Sequence, residues 1–260
     1  MIINSSSSSF SSSQNNFKLR MMAFVLLATF GFVFAACAET TNALSDAEIQ
    51  GKLLVRKIVD QMPAQNYSNT AVLHVRANKG EWVDYAVTCK AIVGNDHWKN
   101  IYSSDALKPT NEIFTVTHTL GEPNLYLHEA VFGSTGKMLS SSKITPFANS
   151  DFWLGDLALD FLHWPDQHVL KKEFHRNCAC TVLESVNPHP EPSGYSRIKS
   201  WIDNDRLNVI EAYGYDIHGK LLKELRPISV IQVKGDYQVK EIEIDNVQTR
   251  SRSRLEFDWK

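Results

Sequence analysis

Residues 150–165 read Ser150-Asp-Phe-Trp-Leu-Gly-Asp-Leu-Ala-Leu-Asp-Phe-Leu-His-Trp-Pro165. The segment combines four aromatic side chains with three aspartates, at positions 151, 156 and 160. Leu157 lies four residues before Phe161, and Trp164 lies three residues after it, which is the spacing of one helical face. The surrounding chain alternates apolar and polar residues instead. The segment therefore predicts a short aromatic helical insertion in a protein built mainly of strands.

One longer helix is predicted before the strands begin. Ser45-Asp-Ala-Glu48 has the form of a capping box, in which Ser45 caps the first turn and Glu48 reaches back to it. Apolar residues then recur at helical spacing until Pro63 ends the run. They are Leu54, Val55, Ile58, Val59 and Met62. A helix with one apolar stripe needs a sheet against which to pack.

From Asn66 onward the apolar period changes to two, which is typical of β-strands. The candidate strands are 71–76, 83–93, 113–118, 124–132, 168–175, 178–187, 194–204, 207–217, 221–232, 237–247 and 252–259. Short glycine-containing turns separate several of them. About ten or eleven such strands predict a large, curled antiparallel sheet. If the last strand lies at an exposed edge, it could pair with a partner, although its charged face discourages this.

The N-terminal region predicts secretion. Residues 21–36 are apolar and uncharged and follow Lys18 and Arg20, as in a signal peptide. We therefore expect a leader and signal peptide over 1–38 and one β domain over 39–260. Ala36-Cys37-Ala38 fits an ordinary cleavage site, whereas Phe34-Ala-Ala-Cys37 resembles a lipobox and makes Cys37 a candidate for lipidation. Both readings remain open, and lipidation would anchor the protein to a membrane.

Charge and cysteine content narrow the classes of partner. The leader carries two of the 27 basic residues and none of the 29 acidic ones, so the mature net charge is −4. This balance argues against a nucleic-acid partner. Cys89 could form a disulfide with Cys178 or Cys180 outside the cytoplasm. Cys178-Ala-Cys180 lacks the second pair of ligands that a metal site requires, so buried thiols are the simpler interpretation of these two cysteines.

Four segments carry a family resemblance. They are Ser150-Asp-Phe-Trp…Phe161-Leu-His-Trp164, Cys180-Thr-Val-Leu-Glu-Ser-Val-Asn-Pro188, Tyr195-Ser-Arg-Ile-Lys-Ser-Trp-Ile-Asp203 and Thr249-Arg-Ser-Arg-Ser-Arg-Leu-Glu-Phe257. With the N-terminal helix and the strand-rich body, they resemble the LolA-like outer-membrane lipoprotein-sorting protein family. The similarity runs from about residue 45 to 260 and is greatest to a bacterial, largely uncharacterised branch.

This resemblance implies a mainly β (α+β) fold, an unclosed antiparallel β-barrel of about eleven strands with helices covering its concave face. It also implies a periplasmic protein that binds lipoprotein acyl chains or membrane lipid and meets inner- or outer-membrane transport proteins. Residues 150–165 would be a cover. The candidate cavity residues are Phe114, Val116, Tyr126, Phe152, Trp153, Leu157, Phe161 and Trp164. Simple core packing of the same side chains remains the alternative.

The sequence contains no pattern that indicates catalysis. His163 and His168 lie near Asp160 and Asp166, but Pro165 interrupts helical geometry and no third ligand follows at a recognisable spacing. We predict no metal, no cofactor and no enzymatic activity. Three hypotheses remain: a carrier or binding protein for acylated ligands, a cell-envelope accessory or scaffold protein with the same fold, and an unrecognised hydrolase.

Overall fold

A computed structural model describes residues 44–107, 110–132, 136–140, 142–233 and 236–259. The proposed leader, the cleavage site and Cys37 lie outside the described residues, so these expectations stay predictions. Within the described ranges, no helix has both the length and the apolar composition needed to cross a bilayer.

Within the described residues, thirteen strands form one antiparallel sheet. They are β1 (Tyr67–Arg76), β2 (Val83–Val93), β3 (His97–Leu107), β4 (Thr110–Thr119), β5 (Leu125–Phe132), β6 (Gly136–Ser140), β7 (Asp166–His175), β8 (Cys178–Val186), β9 (Arg197–Asp203), β10 (Val209–Tyr215), β11 (Leu221–Val233), β12 (Asp236–Asn246) and β13 (Ser251–Asp258). The predicted mainly β, unclosed sheet is confirmed, with two strands more than the eleven expected.

The strand order divides the sheet into two meanders. It runs β6-β5-β4-β3-β2-β1-β13-β12-β11-β10-β9-β8-β7, so β1 pairs with β13 in the middle and β6 and β7 form the edges. In that central pair Leu73 lies opposite Leu255. The condition for edge pairing by the last strand is therefore not met, because β13 has a partner on each side.

Two strands escaped the sequence prediction for different reasons. In β3, Trp98, Asn100, Tyr102 and Ser104 lie on the same face of the strand. The two polar residues interrupt the apolar pattern of period two by which strands are predicted. β6 spans only five residues and pairs with β5 from His128↔Ser140 to Phe132↔Gly136.

The helix α1 (Asp46–Val59) begins with the predicted capping box. The Ser45 hydroxyl accepts a hydrogen bond from the Glu48 N–H at 3.3 Å, and the Glu48 carboxylate accepts one from the Ser45 N–H at 2.8 Å. Val55 enters the core. A Cβ atom at Gly51 would lie 2.4 Å from the main-chain oxygen of Gln167, so only glycine permits this close approach to β7.

Residues 142–165 connect β6 to β7 and are called the plug. They contain a bridge between Pro146 and Trp153, the short helix α2 (Leu154–Leu157) and a 3₁₀ helix (Asp160–His163). Apolar plug residues are buried in one cluster with inward-facing residues of both meanders. They include Phe147, Phe152, Leu154, Phe161 and Leu162. The aromatic segment therefore covers the inner face of the sheet, as predicted.

The described cysteines are free thiols. Cys89 is buried within the main core, whereas Cys178 and Cys180 belong to a second small cluster with Val182 and Trp201. The described residues thus contain no disulfide. Cys180 is a buried thiol as predicted, whereas Cys178 is only partly buried.

Candidate functional site

The plug is fixed to the sheet through its three aspartates, beginning with Asp151. The Asp151 carboxylate accepts hydrogen bonds from the hydroxyl groups of Ser251 and Ser253, the second at 2.9 Å. The Asp151 N–H donates to the Ser253 hydroxyl oxygen, also at 2.9 Å. Both serines lie on β13, and Ser253 is fully buried. Asp151 therefore ties the start of the aromatic segment to the middle of the sheet.

Asp156 is the second anchor, and its main partner is a buried lysine. Lys223 of β11 is only 1% exposed and lies 3.3 Å from the Asp156 carboxylate. Tyr195 donates to the same carboxylate at 2.9 Å, as does the Trp153 N–H. Burial lowers the pKa of Lys223 to about 8, against the opposing effect of Asp156. Burial also raises the pKa of Tyr195 well above its ordinary value, so the phenol stays a donor.

Asp160 is the third anchor and gathers three donors. It accepts a hydrogen bond from the Tyr126 hydroxyl at 2.6 Å, from the Lys143 ammonium at 3.1 Å and from the Trp164 indole N–H at 3.0 Å. Burial, followed by the charge of Asp160, raises the pKa of Tyr126 far above its ordinary value. Asp160 is itself 5% exposed, so these donors replace the water that a carboxylate normally requires.

A fourth carboxylate holds the turn that precedes the aromatic segment. Glu112 on β4 is buried and accepts a hydrogen bond from the Ala148 N–H at 2.8 Å, while its other oxygen lies 2.6 Å from His128 Nε2. Ala148 and Asn149 both have positive φ, near 51° and 55°. The side-chain bond from the sheet helps to hold this strained turn.

An open cavity of about 430 Å³ lies between the plug and the loop joining β8 to β9, and is called the plug cavity. Its plug side is formed by Lys143, Ile144, Trp153, Gly155, Asp156, Asp160, Phe161, His163, Trp164 and Pro165. The facing loop contributes Pro188, His189, Glu191 and Tyr195. Burial lowers the pKa of His163, which favours a neutral ring beside the cavity. The cavity thus combines aromatic walls with a polar rim.

The predicted cavity residues separate into groups in the structure. Trp153, Phe161 and Trp164 line the plug cavity. Phe114, Val116 and Phe152 are sealed in the core, with at most 1% exposure. Tyr126 and Leu157 are half-buried and pack against that core. The ligand-binding role of all eight residues stays a prediction.

Sequence reasoning missed the residues that complete the site. Lys223 stands in no recognisable motif, and Tyr195 opens one of the segments that carry the family resemblance without any sign of a role in the site. Three aspartates inside an aromatic segment were the available signal, because buried carboxylates require partners.

The carboxylates of Asp151, Asp156 and Asp160 already accept hydrogen bonds from fixed donors. This arrangement is suited to holding structure rather than to removing protons from a substrate. Over the part of the chain that the structure describes, no group of three or more His, Cys, Asp or Glu residues could hold a metal ion.

Comparisons with known proteins identify relatives by sequence and by fold. A family model described as "Uncharacterized protein" matches residues 103–259. No curated protein matches the chain.

Solved structures share the architecture at low identity. A DUF1329 family protein from Desulfovibrio piger is 18% identical with a TM-score of 0.67, and a putative outer membrane lipoprotein-sorting protein domain from Vibrio parahaemolyticus is 20% identical with the same score. Each match covers 82% of this chain and 92% of the other. A LolA superfamily protein from Nitrosomonas europaea is 14% identical, with a TM-score of 0.58 and coverage of 80% and 91%. The predicted LolA-like fold is therefore confirmed.

Proposed function

This chain belongs to the family of uncharacterised proteins whose model matches residues 103–259. From this membership and its LolA-like fold, we propose that it is a non-enzymatic carrier or binding protein for lipoproteins or other acylated ligands. The proposal includes a periplasmic location, exchange of cargo with inner- or outer-membrane transport proteins, and no catalytic step. The name of the Vibrio relative, a putative lipoprotein-sorting domain, supports it by analogy of fold alone.

The observation that carries the proposal is the plug cavity. Trp153, Phe161 and Trp164 present aromatic surface to an open space of about 430 Å³, within the usual range for small-ligand sites. An acyl chain entering it would gain about 0.8 kcal/mol for each buried CH₂ group. Lys143, which also pairs with Asp160, lies at the rim with His189 and Glu191, so the rim suits a polar head group. Such binding needs no covalent chemistry.

The anchors of the plug support a role as a movable cover. The core beneath it is filled by Phe114, Phe147 and Phe152, so a longer chain could enter only if the plug shifted. Asp151, Asp156 and Asp160 attach the plug through hydrogen bonds and ion pairs, which water can replace when the plug lifts. Covers of this kind typically move on microsecond to millisecond timescales.

The test is ligand retention and uptake. Native mass spectrometry of gently extracted protein should reveal bound lipid or acylated peptide, and delipidated protein should take up added phospholipid. Trp164→Leu should weaken uptake at least fivefold, because it removes an aromatic wall while leaving an apolar side chain. The matched control is Trp82→Leu, at a partly exposed position outside the cavity.

Absence of bound lipid together with failure to take up added lipid would contradict the carrier proposal. That result would favour the second candidate, a cell-envelope accessory or scaffold protein, which the filled core beneath the plug also favours. The mass of the mature N-terminus separates lipidated Cys37 from free Glu39. A lipidated Cys37 would tether the protein, and a tethered protein is better suited to a scaffold than to a shuttle.

A further inference from the structure

The outer face of the sheet differs between its two meanders. In the second meander, outward side chains of β11–β13 form ion pairs, such as Arg226 with Glu243 at 2.6 Å and Arg254 with the same carboxylate. At one end of the first meander, the outward positions of β2–β5 carry aliphatic residues, threonines and lysines instead. The plug covers the inner face, so a partner approaching from outside meets these outward side chains.

The strand register arranges eight outward residues in two rows, which we call the outer patch. One row crosses β2 to β5 through Ile92, Lys99, Thr117 and Leu125, and the next through Lys90, Ile101, Thr115 and Leu127. Directly paired residues lie on the same face of a sheet. The neighbours of these residues along the strands, such as Ala91 and Val116, are buried, so the two rows point outward.

Three aliphatic side chains of the outer patch are open to solvent. Leu125 is 68% exposed, Ile92 is 48% exposed and Leu127 is 42% exposed. Neighbouring strands are about 4.8 Å apart and the two rows about 6.8 Å apart, so the eight side chains form one surface of roughly 300 Å². An exposed apolar surface of this size commonly marks a site of interaction.

The outer patch carries two positive charges and no carboxylate. Lys90 and Lys99 are both exposed, and neither forms an ion pair with any residue that the structure describes. On the same face of β5, Glu129 lies beyond the second row and has an interaction of its own. In the β2–β3 turn, Asp96 lies outside the rows and contacts His97 at 2.9 Å. The charge of the outer patch therefore complements an anionic partner.

Charge and area decide which partner fits. A second copy of this chain would bring two pairs of lysines into one interface, and like charges repel. A protein partner typically buries about 800 Å² on each side, more than twice the area of the outer patch. An anionic bilayer needs less area, because a few apolar side chains enter its interface and each nearby lysine strengthens binding roughly fivefold.

We propose that the outer patch docks on an anionic lipid bilayer, where Ile92, Leu125 and Leu127 enter the headgroup region and Lys90 and Lys99 contact lipid phosphates. The contact is peripheral and reversible, because it involves few side chains. The plug lies on the opposite, inner face of the sheet, so docking does not depend on the proposed carrier function.

Co-sedimentation with lipid vesicles tests the role of charge. Vesicles of equal parts phosphatidylcholine and phosphatidylglycerol should bind the purified protein about tenfold more tightly than vesicles of phosphatidylcholine alone. The double variant Lys90→Gln/Lys99→Gln should lose this preference. Lys172→Gln/Lys220→Gln makes the same change of charge at exposed positions outside the outer patch and should retain it. High salt should weaken binding of the wild type and of this control, because salt screens exposed charges.

A second pair of variants tests the apolar contact at constant charge. Leu125→Ser/Leu127→Ser should weaken binding to the anionic vesicles about tenfold, because it removes apolar surface that enters the interface. Leu170→Ser/Val230→Ser changes two exposed apolar residues elsewhere and should bind like the wild type. All four positions are exposed, so thermal unfolding should show little change in any variant.

Equal binding to neutral and anionic vesicles, or unchanged binding in either patch variant, would overturn the proposal. Self-association of the free protein that Leu125→Ser/Leu127→Ser abolishes would also overturn it, because a second copy would then cover the outer patch. Trp164→Leu should leave vesicle binding unchanged while it weakens lipid uptake, so docking and the proposed function can fail separately.

Discussion

The ammonium group of Lys223 lies 3.2 Å from the centre of the Trp153 indole ring. It also donates to the main-chain oxygen of Asp151 at 2.6 Å. A cation over the face of a tryptophan is attracted by the ring, and the attraction grows when water is excluded. The Lys223 side chain therefore contacts three parts of the plug: the main-chain oxygen of Asp151, the Trp153 ring and the Asp156 carboxylate.

Lys223→Met should destabilise the protein by about 3–5 kcal/mol, because it leaves the buried Asp156 carboxylate without its cation. Urea unfolding measures the change. The double variant Lys223→Met/Asp156→Asn should recover part of the loss, since it removes the uncompensated charge. Surface substitutions usually change the free energy of unfolding by no more than about 0.5 kcal/mol. A change that small in Lys223→Met would show that the Lys223–Asp156 pair is not an anchor.

Asp160→Asn should loosen the plug without opening the sheet. The amide can no longer accept all of the bonds donated by Tyr126, Lys143 and Trp164, and it loses the attraction to the lysine. Hydrogen exchange followed by mass spectrometry should therefore show faster exchange over 150–165, with β1 and β13 unchanged. Asp84→Asn, at an exposed position in β2, is the control. Equal exchange rates in both variants would contradict an anchoring role.

Gly51→Ala should destabilise the protein, although alanine is the better helix former by about 1 kcal/mol. The new methyl group would meet the main-chain oxygen of Gln167 at 2.4 Å, and backbone cannot yield as a side chain can. We expect a net loss of about 1–3 kcal/mol in denaturant unfolding. Lys52→Ala on the exposed face of α1 should be nearly neutral. A stabilised Gly51 variant would mean that α1 does not pack closely on β7.

His118 makes stability sensitive to acid. Its ring stacks on Trp98 with centroids 4.6 Å apart, and burial lowers its pKa from 6.5 to about 4. Between these values the unfolded chain binds a proton that the native protein does not. The free energy of unfolding should therefore fall as pH drops through this window, by up to about 1.4 kcal/mol per pH unit.

Denaturant unfolding at several pH values between 4 and 6.5 measures this slope. His118→Phe keeps an aromatic ring beside Trp98 but cannot titrate, so its slope should be shallower. His218→Phe, at an exposed turn, should retain the slope of the wild type. If both variants titrate like the wild type, other groups cause the acid sensitivity.

Sequence patterns predicted the elements whose two faces differ. The capping box at Ser45 and the alternation of Leu255 and Phe257 with charged neighbours both depend on local spacing, and both are present. β3 was missed because Asn100 and Ser104 occupy inward positions that usually hold apolar side chains. Asn100 has a polar neighbour there, since its Nδ2 lies 3.2 Å from His118 Nε2.

The candidate site was harder to predict because its contacts are distant in sequence. Asp156 and Lys223 are separated by 67 residues, and Asp151 and Ser253 by 102. A pattern in one segment reveals that a carboxylate will be buried, but not which strand will supply its donor. For the same reason, the position of β13 in the middle of the sheet was not apparent from its sequence.

The central pairing of β1 with β13 also constrains how the protein folds. Thr70 and Asp258 contact one another across 188 residues, whereas the strands within each meander are joined by nearby turns. Closing so long a loop carries a large entropic cost, and contacts of high separation slow folding. During synthesis, β1 cannot pair with its second neighbour until residues 251–258 have been made. One edge of β1 therefore stays without its native partner while β2 to β12 are synthesised.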